Sequence, residues 1–134
     1  MTPSSPLDRI LIGLAMKSKL PLILYACALL ALVMLANFRA LPAWAMWIYR
    51  QPNGDLLAHF GLAAGLTFLA ESAAGSRTRS LGPMRVPLGA SLALAALALE
   101  EFSQAFIPAR VFSLIDLGAT TLGGIAGWRL AAVL

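Results

Sequence analysis

Charge is what this chain has least of. Only 12% of its 134 residues are Asp, Glu, Lys or Arg, about half the share found in an ordinary soluble domain. That leaves too little polar surface to cover a soluble core. Cysteine is nearly missing as well. Cys27 stands alone, which excludes a disulfide within the chain and any zinc-ligand pattern. It lies inside an apolar run and reads as a small packing residue. A single histidine and scattered carboxylates offer no metal-ligand spacing, so neither a metal nor a cofactor is expected. Long repeats and disordered linkers are absent, and the length allows one domain at most.

What the chain does have is apolar sequence. Hydrophobic residues make up 60% of it, and the mean hydropathy is +0.82. Four runs stand out: Leu20 to Phe38, Asp55 to Ala73, Val86 to Ile107 and Ser113 to Leu134. Each is close to the ~20 residues that cross ~30 Å of hydrocarbon as a helix. They are too long, and too rich in Ala and Leu, to be strands. The expected fold is therefore all-α: a bundle of four transmembrane helices over residues 20–134.

Residues 1–19 have another character. Leu7, Ile10, Leu11 and Leu14 recur at helical spacing beside Arg9, Lys17 and Lys19, which predicts an amphipathic helix lying on the membrane surface. Ser5-Pro6 supplies a start signal. A signal peptide is the competing reading. The apolar run is too long for one and ends without a small-x-small cleavage site, so retention is expected. Between the first two runs, Trp44, Trp47 and Tyr49 suit a short helix at headgroup level. Pro52-Asn53-Gly54 then turns the chain into the second run.

The net charge of +4 could suggest nucleic acid, but the basic residues sit in short loops flanking apolar runs, where they report topology. Arg9, Lys17, Lys19, Arg77, Arg79, Arg85 and Arg129 fall on one side, and Arg39, Arg50 and Arg110 on the other. Seven against three places both termini in the cytoplasm by the positive-inside rule.

Ionisable groups inside apolar runs are costly and usually mark a function or a polar lock. With this topology they gather on the outer side. The second helix enters at Asp55, and His59 lies one turn deeper on the same face. Glu101 is fifteen residues up the third helix, about 22 Å, which leaves it ~8 Å short of the outer edge. Gln104 follows on the same face, Arg110 lies in the outer loop, and Asp116 opens the fourth helix. Asp55, His59, Glu101, Gln104, Arg110 and Asp116 therefore form the expected functional cluster. Spacing puts His59 and Glu101 at matching depth with the other four above them, but leaves their azimuth open.

Each group also has a structural explanation. Asp55 and Asp116 lie in first turns, where an acid complements the helix dipole, and Ser113-Leu114-Ile115-Asp116 has the form of a capping box. Glu101 and Gln104 lack that explanation, since negative charge opposes the dipole in a last turn. Arg110 is the natural partner for Glu101 or Asp116, and Asp55 at i−4 could fix the His59 tautomer. Glu100 points a quarter-turn from Glu101 and is expected to snorkel to the interface. Pairing with Arg77 or Arg79 would suffice for Glu71. Gly61 with Gly65, and Gly123 with Gly127, have the small-xxx-small spacing of close helix contacts.

The segment Asp55-Leu-Leu-Ala-His59-Phe60-Gly61, then Glu101-Phe-Ser-Gln104, Pro108, Arg110, Ser113, Asp116, Gly123 and Gly127, resembles the VanZ-like family of small bacterial membrane proteins over about residues 54–134. Leu56 stands where that family usually has Lys, and Thr120 where it has Asn. The resemblance implies a role in the bacterial cell envelope, in the cytoplasmic membrane, with a link to low-level teicoplanin resistance. It supplies no reaction.

Four functions compete. The preferred one is a non-enzymatic envelope protein whose outer polar cluster binds a lipid headgroup or another anionic envelope ligand, with Arg110 on the phosphate or carboxylate. Membrane lipids, or a lipid or protein of the envelope, are then the partners, and nucleic acid is not. The second is an enzyme acting on a lipid or isoprenoid phosphate, with His59 or Glu101 as acid or base. The third is a purely structural network. Transport ranks last, since four short helices would need to oligomerise.

Overall fold

A computed structural model describes residues 6–75 and 77–134 of the chain, with the side chains of residues 6–18 and Leu81 left out of the description. The fold is mostly helical, as the composition predicts: five α-helices and one small hairpin. In chain order these are α1 (Pro6–Asn37), α2 (Ala43–Tyr49), α3 (Gly54–Ala74), β1 (Thr78–Leu81), β2 (Met84–Pro87), α4 (Leu88–Ser103) and α5 (Leu114–Val133). A single 3-10 turn, Gln104–Phe106, follows α4.

Helix α1 runs through Lys19 without a break, and Pro21 sits inside it. Proline there removes one internal hydrogen bond without ending the helix. The side chains that would make residues 1–19 amphipathic lie outside the described part. Two stretches, Lys19–Asn37 and Gly54–Ala74, are long and apolar enough to cross a membrane. The third run does not form the single helix expected over Val86 to Ile107. Pro87 closes a strand, α4 starts at Leu88 and covers 16 residues, about 24 Å at 1.5 Å per residue.

The hairpin replaces what the sequence suggested was plain loop. Its strands pair antiparallel, Thr78 with Pro87 through Leu81 with Met84. Gly82, at φ 62°, opens a two-residue turn closed by Pro83, which is the Gly-first pattern of a type II′ turn. The Leu88 N–H donates to the Arg77 carbonyl at 2.8 Å and ties the hairpin to the start of α4.

The interior inverts the soluble pattern. Among the described residues, the only buried hydrophobic side chains are Ala45, Ala63, Ala90 and Ala93, whereas Thr67, Glu71, Glu101, Gln104 and Thr120 are buried polar groups. Large apolar side chains point outward along α1, α3, α4 and α5, among them Leu24, Leu57, Leu99 and Leu122. Small residues set the helix spacing. A Cβ on Gly123 would lie 2.1 Å from the Phe60 carbonyl oxygen, and one on Gly127 2.1 Å from that of Ala64, so α5 rests on the backbone of α3. Gly89 approaches the Ala70 carbonyl in the same way and seats α4 on α3.

The two glycines of the α3 pattern part company. Gly65 lies under the Tyr25 ring, whose hydroxyl donates to the Leu62 carbonyl at 3.0 Å and joins α1 to α3. Gly61 packs against nothing, contrary to the spacing argument, since a Cβ there would meet no atom within 4 Å. Cys27 is exposed on α1 rather than packed. Glu71 turns from Arg77 and Arg79 and accepts from the Ala90 N–H at 2.9 Å. It thereby caps the first turn of α4, where orphan N–H groups favour a carboxylate.

Candidate functional site

The polar groups of α3, α4 and α5 meet along one seam. Glu101, on α4, and Gln104, at the start of the 3-10 turn that continues it, are both buried. The α5 stripe Thr120, Gly123, Gly124 and Gly127 is buried as a unit, at the i, i+3, i+4, i+7 spacing of one helix face. That stripe carries Thr120 up to His59 on α3. The His59 Nδ1 lies 3.3 Å from the Thr120 hydroxyl oxygen and 3.7 Å from Glu101 Oε2. The first is hydrogen-bond range and the second is ionic range only.

Gln104 Nε2 donates to Glu101 Oε2 at 3.1 Å and to both Glu100 oxygens at 3.2 Å. Thr120, His59, Glu101, Gln104 and Glu100 thus form a chain across three helices. One member is incomplete. Glu101 Oε1 is buried without a hydrogen-bond partner among the described residues.

Three expected pairings are replaced. Asp55 is exposed on the first turn of α3 and does not bond His59; the His59 ring turns inward to Thr120 and Glu101 instead. Arg110 pairs with neither Glu101 nor Asp116. Its Nη1 donates to Asn37 Oδ1, at the end of α1, over 3.4 Å, and no carboxylate lies within 4 Å of it among the described residues. Asp116 is half-buried, and its role is at the helix start: its N–H donates to the Ser113 hydroxyl at 3.2 Å, one half of the capping box read from the sequence.

Arg110, Glu100, His59 and Thr120 line a groove of about 580 Å³ between α1, α2, α3 and α4. Its walls are otherwise apolar, built from residues such as Leu29, Val33, Leu62 and Leu97. On α1 the lining runs from Tyr25 to Ala36, and on α3 from Leu57 to Leu66, so the groove is roughly 15 Å long at 1.5 Å per residue. Its polar end lies at α2. There the Tyr49 hydroxyl feels Arg110, Asp116, Glu100 and Asp55 together, and burial raises its pKa. Asp55 and Asp116 do not line the groove.

Four residues were missed as members of this region. Asn37 was visible as a polar break in the first apolar run, but no spacing argument linked it to a residue seventy-three positions away. Thr120 looked like a departure from a family pattern and is the hydroxyl on His59. Glu100 does not simply snorkel outward; it lines the groove and bonds Gln104. Tyr25 bridges α1 to α3 at the groove's inner end. Among the described residues no cluster of His, Cys, Asp and Glu is arranged to hold a metal. No protein-family model, curated protein or solved structure matches the chain.

Proposed function

We propose that this is a multi-pass membrane protein of the bacterial envelope that binds the headgroup of an envelope lipid, with Arg110 holding the phosphate and the lipid tail in the groove. The groove carries this conclusion. It joins a long apolar trough to a polar end that contains an arginine with one neutral partner, Asn37. Arginine's fork of donors suits phosphate, and small-molecule sites are typically apolar clefts of this size with few polar groups.

The outward-facing Leu, Ile and Phe side chains of α4 and α5 fit lipid contact, and four spans follow if these helices cross beside the two that are long and apolar enough. The seven-to-three split of basic residues favours both termini in the cytoplasm and the polar end of the groove outside. The resemblance to VanZ-like proteins fits an envelope role and makes glycopeptide susceptibility the phenotype to measure.

The test is retention of lipid. The protein is released from bacterial membranes in mild detergent and weighed by native mass spectrometry. A bound lipid adduct is expected for the wild type and not for Arg110→Ala. Equal retention by both rejects the proposal. A structural lock is the second reading, supported by the chain from Thr120 to Glu100 that ties α3, α4 and α5. It predicts no adduct, with Arg110→Ala leaving a normally folded protein.

A further inference from the structure

Arg110 and Glu100 line the same groove with opposite charges, yet they do not pair. Among the described residues Arg110 has one contact, with the neutral Asn37 side chain, and Glu100 accepts only from the neutral Gln104 amide. No ion pair within 4 Å involves either of them among the described residues. Charges facing a largely apolar groove are costly unless something neutralises them. Two opposite charges free to meet would close on each other. Held apart, they are neutralised by a third body carrying both signs.

The local charge balance points the same way. Besides Arg110, the groove's lining holds Glu100. A ligand with negative charge alone would satisfy Arg110 and meet repulsion from the Glu100 carboxylate. We infer that the lipid held here has a zwitterionic aminophosphate headgroup, its phosphate on Arg110 and its ammonium on Glu100. This rests on the proposed headgroup site and goes beyond it by fixing the headgroup's chemistry. An ammonium brings three N–H donors, and a carboxylate whose sole partner is one amide has lone pairs free to accept them.

Gly61 provides a plug for the groove. It lines the trough, and a Cβ there meets no existing atom within 4 Å. Gly61→Leu therefore starts a side chain into open space and is expected to fill part of the trough.

The experiment titrates full-length protein in detergent micelles with short-chain phosphatidylethanolamine, phosphatidylglycerol and phosphatidic acid, read by native mass spectrometry. Wild type is expected to retain phosphatidylethanolamine at least about tenfold better than the other two, roughly 1.4 kcal/mol of preference. Glu100→Gln should erase that ratio while leaving phosphate-dependent binding. Arg110→Ala should lose all three lipids, with Arg110→Gln as the milder companion if the alanine variant does not insert. Gly61→Leu should lose them with Arg110 intact. Preference for phosphatidylglycerol or phosphatidic acid that disappears in Arg110→Ala would overturn the zwitterionic assignment and leave the headgroup site standing. An unchanged ratio in Glu100→Gln would overturn it too. Binding that survives both Arg110→Ala and Gly61→Leu would be lipid held outside the groove, and would remove the site itself.

Discussion

Gly127→Ala and Gly61→Ala make the same chemical change on the same pair of packed helices, and opposite results are expected. At 127 the new methyl would sit 2.1 Å from the Ala64 carbonyl oxygen, where ordinary contact begins at 3.4 Å. The difference, 3.4 less 2.1, is 1.3 Å, and backbone cannot yield as a flexible side chain would. Helix α5 must move off α3 by about that distance. Overpacking of this kind typically costs 1–3 kcal/mol, while replacing Gly by Ala in a helix returns about 1 kcal/mol of propensity. The expected net loss is up to about 2 kcal/mol. At 61 the methyl meets nothing, so only the propensity gain of about 1 kcal/mol remains.

The consequence reaches the site. Thr120 is on the same buried stripe as Gly127, and its 3.3 Å contact with His59 would lengthen past hydrogen-bond range. Thermal or denaturant unfolding of the two variants in one detergent gives the comparison, since the variant difference is more secure than either absolute stability. Gly127→Ala as stable as Gly61→Ala would refute the close approach of α5 to α3, and with it the placement of Thr120 on His59.

Other substitutions probe separate parts of the fold. Glu71→Ala removes the acceptor for the Ala90 N–H and should cost about 1–2 kcal/mol, as lost helix caps do, whereas Glu71→Gln keeps an acceptor and most of the stability; equal loss in both would show that the charge, not the cap, matters. Glu101→Gln keeps the Gln104 contact while discharging a carboxylate with one unpartnered oxygen, so stability within about 1 kcal/mol of wild type is expected; a loss of 3–5 kcal/mol, typical of a broken buried pair, would identify His59 and Glu101 as an ion pair instead. Cysteine placed at Asn53 should react with an impermeant thiol reagent from outside the cell, and labelling from the cytoplasmic side alone would reverse the topology.

How much of this was legible in the sequence depended on range. The helical character, the short helix bearing Trp44, Trp47 and Tyr49, and the Ser113 cap were visible because each is decided within a few residues. Depth was legible too, since helix rise is constant, and so His59 and Glu101 could be set at one level. Partner choice was not. Arg110 was matched to the acids nearest in sequence, but α1 brings Asn37 within reach, and no periodicity encodes which way α1 leans. The GxxxG spacing was ambiguous for a similar reason: Gly123 and Gly127 meet α3, while Gly61 opens onto a groove that exists only because α1 stands off. The hairpin escaped notice because its strands are four residues each, too short for a period-2 pattern to stand out, and the second takes the first two residues of an apolar run.

A bundle that buries no apolar side chain larger than alanine among the described residues is not positioned chiefly by hydrophobic burial between its helices, and in lipid that force would be absent in any case. Contacts of glycine with backbone, and hydrogen bonds between buried polar groups, must set the geometry. Thr120, His59, Glu101 and Gln104 are accounted for on those terms: each bonds or faces a partner on a neighbouring element. Arg110 and Glu100 are not. Arg110's contact with Asn37 and Glu100's contact with Gln104 could be made by neutral side chains, at a lower desolvation cost. A fold that needed only a lock would have no use for charge at these two positions. On the proposed reading they are the positions where substitution should separate binding from stability most cleanly.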